Sequence, residues 1–339
     1  MDQIWITRAG GPRVLSVRSA PDPQCGPEDV LIDVVAAGVN FADLMARMGQ
    51  YPDAPPIPCV VGYEISGTVR ACGAAVDSVQ PGSRVLALTR FGGYSTVAAV
   101  PHRQVFPIPD GLSFHEAAAI PVNYFTAYLA LFTMGALQRG QRCLIQNAGG
   151  GVGIAATQLA RWAGAEIFGT ASAAKHEFIT AQGVDHAVDY RRLEFDDEVM
   201  RLTGGKGVHL ILDPIGGTTT RRGYRCLAPL GKVVCYGISS SVRKQRRSIF
   251  SLLKTVLAMP RPHPVSLMNE NRGILGLNLG HLWSEIPALA TVASHLLSLC
   301  ESGDVKPVIA KTFPFAEAPE AHRFIHERRN IGKVLLTTD

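Results

Sequence analysis

Apolar and polar positions along the chain fall into two textures. Through the first 110 residues, short β-branched runs alternate with Gly and Pro turns: Val30-Leu31-Ile32-Asp33-Val34-Val35, Gly67-Thr68-Val69 and Ser83-Arg84-Val85-Leu86-Ala87-Leu88. That pattern predicts a β-rich module. After Pro109-Asp110-Gly111, apolar runs of strand length alternate with segments of helix length. The spacing predicts strands over 143–146, 166–170, 209–213 and 232–236, with helices over 153–163 and 174–182. Such alternation builds a parallel sheet with helices on both faces, so the fold class is α/β. Arg272 to Leu279 reads as a late edge strand, and an unprotected apolar edge pairs with its own copy, so a homodimer is expected.

Two segments raise the question of a membrane. The uncharged stretch 117–137 is long enough to span a bilayer, but Pro121, Asn123, Tyr124, Thr126, Tyr128, Thr133 and Gly135 interrupt it, and it reads as a packed helix of a soluble protein. Arg243-Lys244-Gln245-Arg246-Arg247 precedes helically spaced Ile249, Leu252, Leu253, Val256 and Leu257. This is a surface helix with a solvated basic end, or else a helix that lies on a membrane.

Composition narrows the class. At about 150 residues per domain, 339 residues make roughly two domains. With 47% apolar and 18% charged residues, disorder is excluded, and a net charge of +5 spread along the chain argues for no nucleic-acid partner. Seven widely spaced cysteines without a C-x-x-C pair fit reduced thiols in the cytoplasm. Met1-Asp2-Gln3-Ile4-Trp5 does not open a secretory signal.

The chemistry concentrates at Asn147-Ala148-Gly149-Gly150-Gly151-Val152-Gly153, which follows a predicted strand and opens a predicted helix. This is an A-x-G-x-x-G form of the dinucleotide fingerprint. Small residues let the backbone approach a pyrophosphate, and the N–H groups of the helix start point at its charge. An NAD site usually carries an acid about 20 residues further on, for the ribose 2′-hydroxyl. Here Gly169-Thr170-Ala171-Ser172-Ala173-Ala174-Lys175 stands in that place, with Ser172 to donate a hydrogen bond and Lys175 a charge to a 2′-phosphate. NADP(H) is therefore favoured over NAD, although Lys175 also fits a solvated first-turn residue.

These residues resemble a known family, the medium-chain dehydrogenase/reductases, in their zinc-free quinone oxidoreductase branch. The likeness is greatest to the vesicle amine transport protein homologues. It is carried by Asn40-Phe41-Ala42-Asp43-Leu44-Met45-Ala46-Arg47, Val122-Asn123-Tyr124-Phe125-Thr126-Ala127-Tyr128, Phe168 to Glu177, and Asn330-Ile331-Gly332-Lys333-Val334-Leu335-Leu336. The resemblance implies a GroES-like β-rich catalytic domain over 1–121, completed by 282–339, and a Rossmann doubly wound parallel-sheet domain over 122–281. Zinc-dependent relatives carry a Cys in the segment matching Gly38 to Asp43 and a His-Glu pair at Tyr63-Glu64; Asn40 and Tyr63 stand in their place, so no metal is expected.

Without a metal, hydride needs an acceptor already polarised, such as a quinone or an α,β-unsaturated carbonyl. Asn40 and Tyr51 are the catalytic candidates, as donors to the acceptor's oxygen. The resemblance also implies cofactor contacts from Asn40, Thr126, Tyr190, Gly237, Leu277, Asn278 and Asn330. On the residues alone, Asn40 also fits a turn cap, Tyr51 fits packing before Pro52, and Asp43 reads as the N-cap of a helix beginning at Leu44. Two other functions remain open. One is a catalytically weak NADP-binding protein that associates with membranes or protein partners. The other is an enoyl reductase for carrier-bound thioesters.

Overall fold

The computed structural model describes residues 1–241 and 249–338, with only the backbone of 249–252. The basic cluster 243–247 lies outside the described residues. The chain forms two compact units, 1–125 with 279–338, and 126–241 with 249–278.

The first unit opens with β1 (Asp2–Ile6), β2 (Leu15–Ser19), β3 (Asp29–Val39), α1 (Phe41–Arg47), β4 (Cys59–Val60), β5 (Glu64–Cys72), β6 (Arg84–Leu88), β7 (Val97–Pro101), β8 (Val105–Pro107), α2 (Phe114–Ala118) and the start of α3 (Pro121–Tyr128). The β-branched runs of the sequence are β3, β5 and β6, which pair antiparallel. Val30, Ile32, Ile65, Val85 and Leu86 are fully buried between them.

The second unit holds β9 (Arg142–Ile145), α4 (Gly151–Trp162), β10 (Glu166–Ala171), α5 (His176–Gln182), β11 (His186–Asp189), α6 (Phe195–Leu202), β12 (Val208–Asp213), α7 (Thr218–Arg225), β13 (Leu227–Cys235), α8 (Ile249–Ala258), α9 (Pro264–Glu270) and β14 (Gly273–Gly276). Its six strands run β11-β10-β9-β12-β13-β14, every pair parallel. The strands are near-continuous apolar runs because helices cover both faces of such a sheet. Leu144, Phe168, Val188, Val208, Ile211 and Val233 form the core under α6 and α7. Strand order reverses between β9 and β12, the place where open α/β sheets leave a crevice for a ligand.

The chain then returns to the first unit through α10 (Ile286–Glu301), β15 (Ile309–Pro314), α11 (Ala318–His326) and β16 (Lys333–Thr337). β16 pairs antiparallel with the end of β3, Val334 opposite Val39, and completes a seven-stranded sheet.

Three sequence expectations need correction. The stretch 117–137 is not one helix: α2 ends at Ala118, Pro121 opens α3, and a π-helical turn follows over Leu129–Met134. Proline lacks the N–H a continuing helix needs, so a new helix starts there instead. Among the described residues no helix is long and apolar enough to cross a membrane. Asp43 is not the N-cap residue of α1; Asn40 holds that position, and Asp43 completes a capping box from the third helical residue, its carboxylate accepting from the Asn40 N–H at 2.8 Å. The segment 174–182 divides into a 3-10 turn, Ala173–Lys175, and α5.

Candidate functional site

The loop between β9 and α4 is built to bring backbone close to a ligand. It is tied to β10 by three hydrogen bonds: Asn147 N–H to Thr170 Oγ1 at 3.1 Å, Ala148 N–H to the Thr170 carbonyl at 3.0 Å, and Thr170 Oγ1–H to Gln146 Oε1 at 2.7 Å. At Gly153 a Cβ would lie 2.3 Å from the Asn147 carbonyl oxygen, so only glycine lets α4 start this close to the strand end. Gly150 at the N-cap provides no side-chain partner for the first-turn N–H groups of α4. A diphosphate is the ligand that such uncapped amides and the positive end of a 12-residue helix accept.

The other candidates of this unit gather at the same end of the sheet. Ser172 follows β10 as N-cap of the 3-10 turn, Tyr190 follows β11, Gly237 follows β13 and Leu277-Asn278 follows β14. Leu277 is pinned by its N–H to the Cys235 carbonyl at 2.9 Å. Lys175 folds back over the fingerprint: a Cβ on Gly149 would lie 2.9 Å from Lys175 Cδ. The Lys175 stem thus lies against the loop between β9 and α4. Tyr190 is 40% exposed, which suits a ring that covers a ligand. Thr126 is buried on α3.

In the first unit, Asn40 enters a buried ion pair. Lys333 Nζ donates to Asn40 Oδ1 at 2.7 Å and to Glu64 Oε1, while Asn40 Nδ2 donates to Glu64 Oε1 at 2.7 Å. The Val122 N–H closes the other carboxylate oxygen at 2.7 Å. The Glu64 side chain is 0% exposed and that of Lys333 2%, so each charge is neutralised by its partner. The Asn40 amide, offered by the sequence reading to an acceptor's oxygen, is therefore engaged at both ends. Asn330 lies three residues before Lys333, its Nδ2 donating to the Gly332 carbonyl at 3.1 Å.

Below this pair, Asp43 gathers Asn40 N–H, Gly62 N–H at 3.2 Å and Tyr94 Oη–H at 3.1 Å, and Tyr94 also meets His322 Nε2 at 3.2 Å. Full burial raises the Asp43 pKa to about 7 against these hydrogen bonds, and burial holds His322 well below the usual histidine value. Tyr51, in the loop after α1, packs edge-on against Tyr63, which in turn meets Phe91.

Comparison with known proteins gives the same architecture. The zinc-binding dehydrogenase family matches residues 182–336, and the alcohol dehydrogenase GroES-like domain matches 26–110. The chain is 40% identical over 336 residues to a synaptic vesicle membrane protein VAT-1 homolog of Rattus norvegicus, covering 98% of this chain and 83% of that one. The chain belongs to the medium-chain dehydrogenase/reductases.

Among solved structures of this family, the human synaptic vesicle membrane protein VAT-1 homolog-like protein superposes with a TM-score of 0.87 at 33% identity, over 100% of this chain and 98% of that one. The Escherichia coli quinone oxidoreductase complexed with NADPH gives 0.87 at 27% identity, over 99% and 100%. This medium-chain dehydrogenase/reductase has a donor set unsuited to zinc. Asn40 and Tyr63 are poor ligands, and the Glu64 carboxylate is taken by an ammonium, an amide and a backbone N–H. Among the described residues no group of three His, Cys, Asp or Glu side chains is placed to hold a metal. Sequence reasoning did not single out Lys333 as Asn40's partner. The available signal was a charge at the head of the apolar run Lys333-Val334-Leu335-Leu336.

Proposed function

We propose that this chain is a metal-independent, NADPH-dependent reductase of quinones or α,β-unsaturated carbonyls. The observation that carries this reading is the Lys333 ammonium seated between Asn40 and Glu64. It fills, with a fixed cation, the donor positions that a Lewis-acid metal would need, so the acceptor must be electrophilic through its own conjugation. NADPH, when bound, supplies the hydride. Gly150 to Gly153 hold its diphosphate, Ser172 and Lys175 its 2′-phosphate, and Tyr190, Gly237, Leu277 and Asn278 border it along the strand ends. Thr126 and Asn330 are the further cofactor contacts of this proposal. Asn40 acts as a positioning residue through its amide, which leaves the Tyr51 hydroxyl as donor to the oxygen on which negative charge develops. The proton that completes reduction comes from solvent. A twofold dimer belongs to the same proposal, since β14 is one of the two edge strands of the six-stranded sheet; sedimentation at twice the 36.3 kDa chain mass is the expected result.

The deciding experiment follows NADPH and NADH oxidation side by side against quinones, 2-alkenals and enoyl thioesters, with and without a chelator. Chelator-resistant turnover that prefers NADPH is expected, and the best acceptor names the substrate class. Tight NADPH binding without turnover on any acceptor overturns the reductase and leaves an NADP-binding protein.

A further inference from the structure

Tyr63 stands where zinc-dependent relatives carry a metal ligand, yet it is built into this site with care. It is 7% exposed, its Oη is wholly buried, and the Tyr51 hydroxyl is the hydrogen-bonding group that bears on it. The ring meets Tyr51 edge-on, with centroids 6.1 Å apart at 88°, and Phe91 backs it at 5.3 Å. Its backbone has little freedom. Gly62 takes φ +104°, its N–H is held by Asp43, and a Cβ there would lie 2.6 Å from the Tyr94 nitrogen. Burial first, then Asp43 and Tyr51, push the phenol's pKa far above the ordinary range, so the hydroxyl keeps its proton at any working pH.

A buried hydroxyl is costly unless its donor is used, and the group placed to accept from Tyr63 is the Tyr51 hydroxyl. We propose that Tyr63 is the positioning residue for the Tyr51 hydroxyl: Tyr63 donates its hydrogen to Tyr51 Oη while Tyr51 donates its own to the carbonyl oxygen of the acceptor. The two phenols form one relay aimed at the negative charge that develops on that oxygen. This rests on the reading above in which Tyr51 faces the acceptor. No proton changes owner in the relay. Hydrogen bonds in series polarise one another, so Tyr51 becomes a stronger donor as charge builds, and the gain is larger in the transition state than in the ground state. The chemistry suits an oxygen whose charge is delocalised, as in the enolate of an enone or the oxyanion of a half-reduced quinone.

The test uses 4-nitrophenolate, whose delocalised oxyanion resembles that product, bound to the full-length protein loaded with NADP+. Tyr63→Phe keeps the ring and its packing, so NADPH affinity and thermal stability serve as controls for the fold. Tyr63→Phe is expected to weaken 4-nitrophenolate about tenfold and move its visible band to longer wavelength, as the hydrogen bond to the oxyanion weakens. Tyr51→Phe is expected to weaken it at least as much, and the double variant no more than Tyr51→Phe alone. The relay is overturned if wild type does not bind the anion, if Tyr63→Phe leaves affinity and band unchanged, or if its effect persists undiminished in the Tyr51→Phe background. Tyr63-dependent binding of the anion in a protein that turns over no acceptor retires the reductase and keeps the relay. Turnover with Tyr63-indifferent binding does the reverse.

Discussion

Single residues in this protein are decided by what their neighbours leave available. Asn40 could act as donor, acceptor or cap, and Lys333 on one side with Glu64 on the other selects one orientation of its amide. Lys175 could be an ordinary solvated side chain, but its stem lies against Gly149 at the fingerprint. A cation there interacts with a 2′-phosphate and has little to gain from a bare 2′-hydroxyl. Lys175→Ala is therefore expected to raise the Kd for NADPH about tenfold and leave that for NADH nearly unchanged, read by fluorescence titration with both nucleotides. Equal losses for the two would show that the residue supports the loop rather than the phosphate.

At the scale of an element, α1 is a seven-residue helix whose first turn holds a buried carboxylate. In the folded state Asp43 titrates at about 7 instead of the ordinary 3.8, so between those values the fold retains a proton that the unfolded chain has released. Its stabilising contribution is fully present below about pH 4 and is lost as pH rises towards 7. His322, across Tyr94, has the opposite sign: held neutral by burial, its contribution is present above the ordinary 6.5 and lost as pH falls. Asp43→Asn removes only the first slope. The gap in Tm between wild type and this variant is expected to be larger at pH 5 than at pH 8, and a gap that does not change with pH would count against a raised Asp43 pKa. The fingerprint helix α4 was legible beforehand because its signal is local, small residues at fixed spacing between a strand and a helix. The breaks in 117–137 were less so, since an apolar run does not announce where a proline will restart the helix.

On the scale of the whole molecule, the chain leaves the first unit near residue 125 and re-enters it near 279, and one buried ion pair records that return. Lys333 and Asn40 are 293 positions apart, and Lys333 and Glu64 are 269. Lys333→Met leaves the Glu64 charge buried without a counter-ion, and about 3–5 kcal/mol of stability is expected to be lost in urea unfolding. Adding Glu64→Leu is expected to recover much of that loss, because two apolar side chains of similar volume replace the pair. If the single variant costs less than about 1 kcal/mol, the pair is not what secures β16 to β3. The sequence by itself determined the β-rich module, the parallel sheet and the dinucleotide loop. Each is written in short-range periodicity and spacing, which backbone geometry converts directly into strands, helices and tight turns. Only the tertiary structure decided that Asn40 is spoken for, that Asp43 is a buried acid with a capping role, and that Tyr63 stands against Tyr51. Those facts depend on which distant side chains share a desolvated space, and nothing in the local pattern constrains that choice.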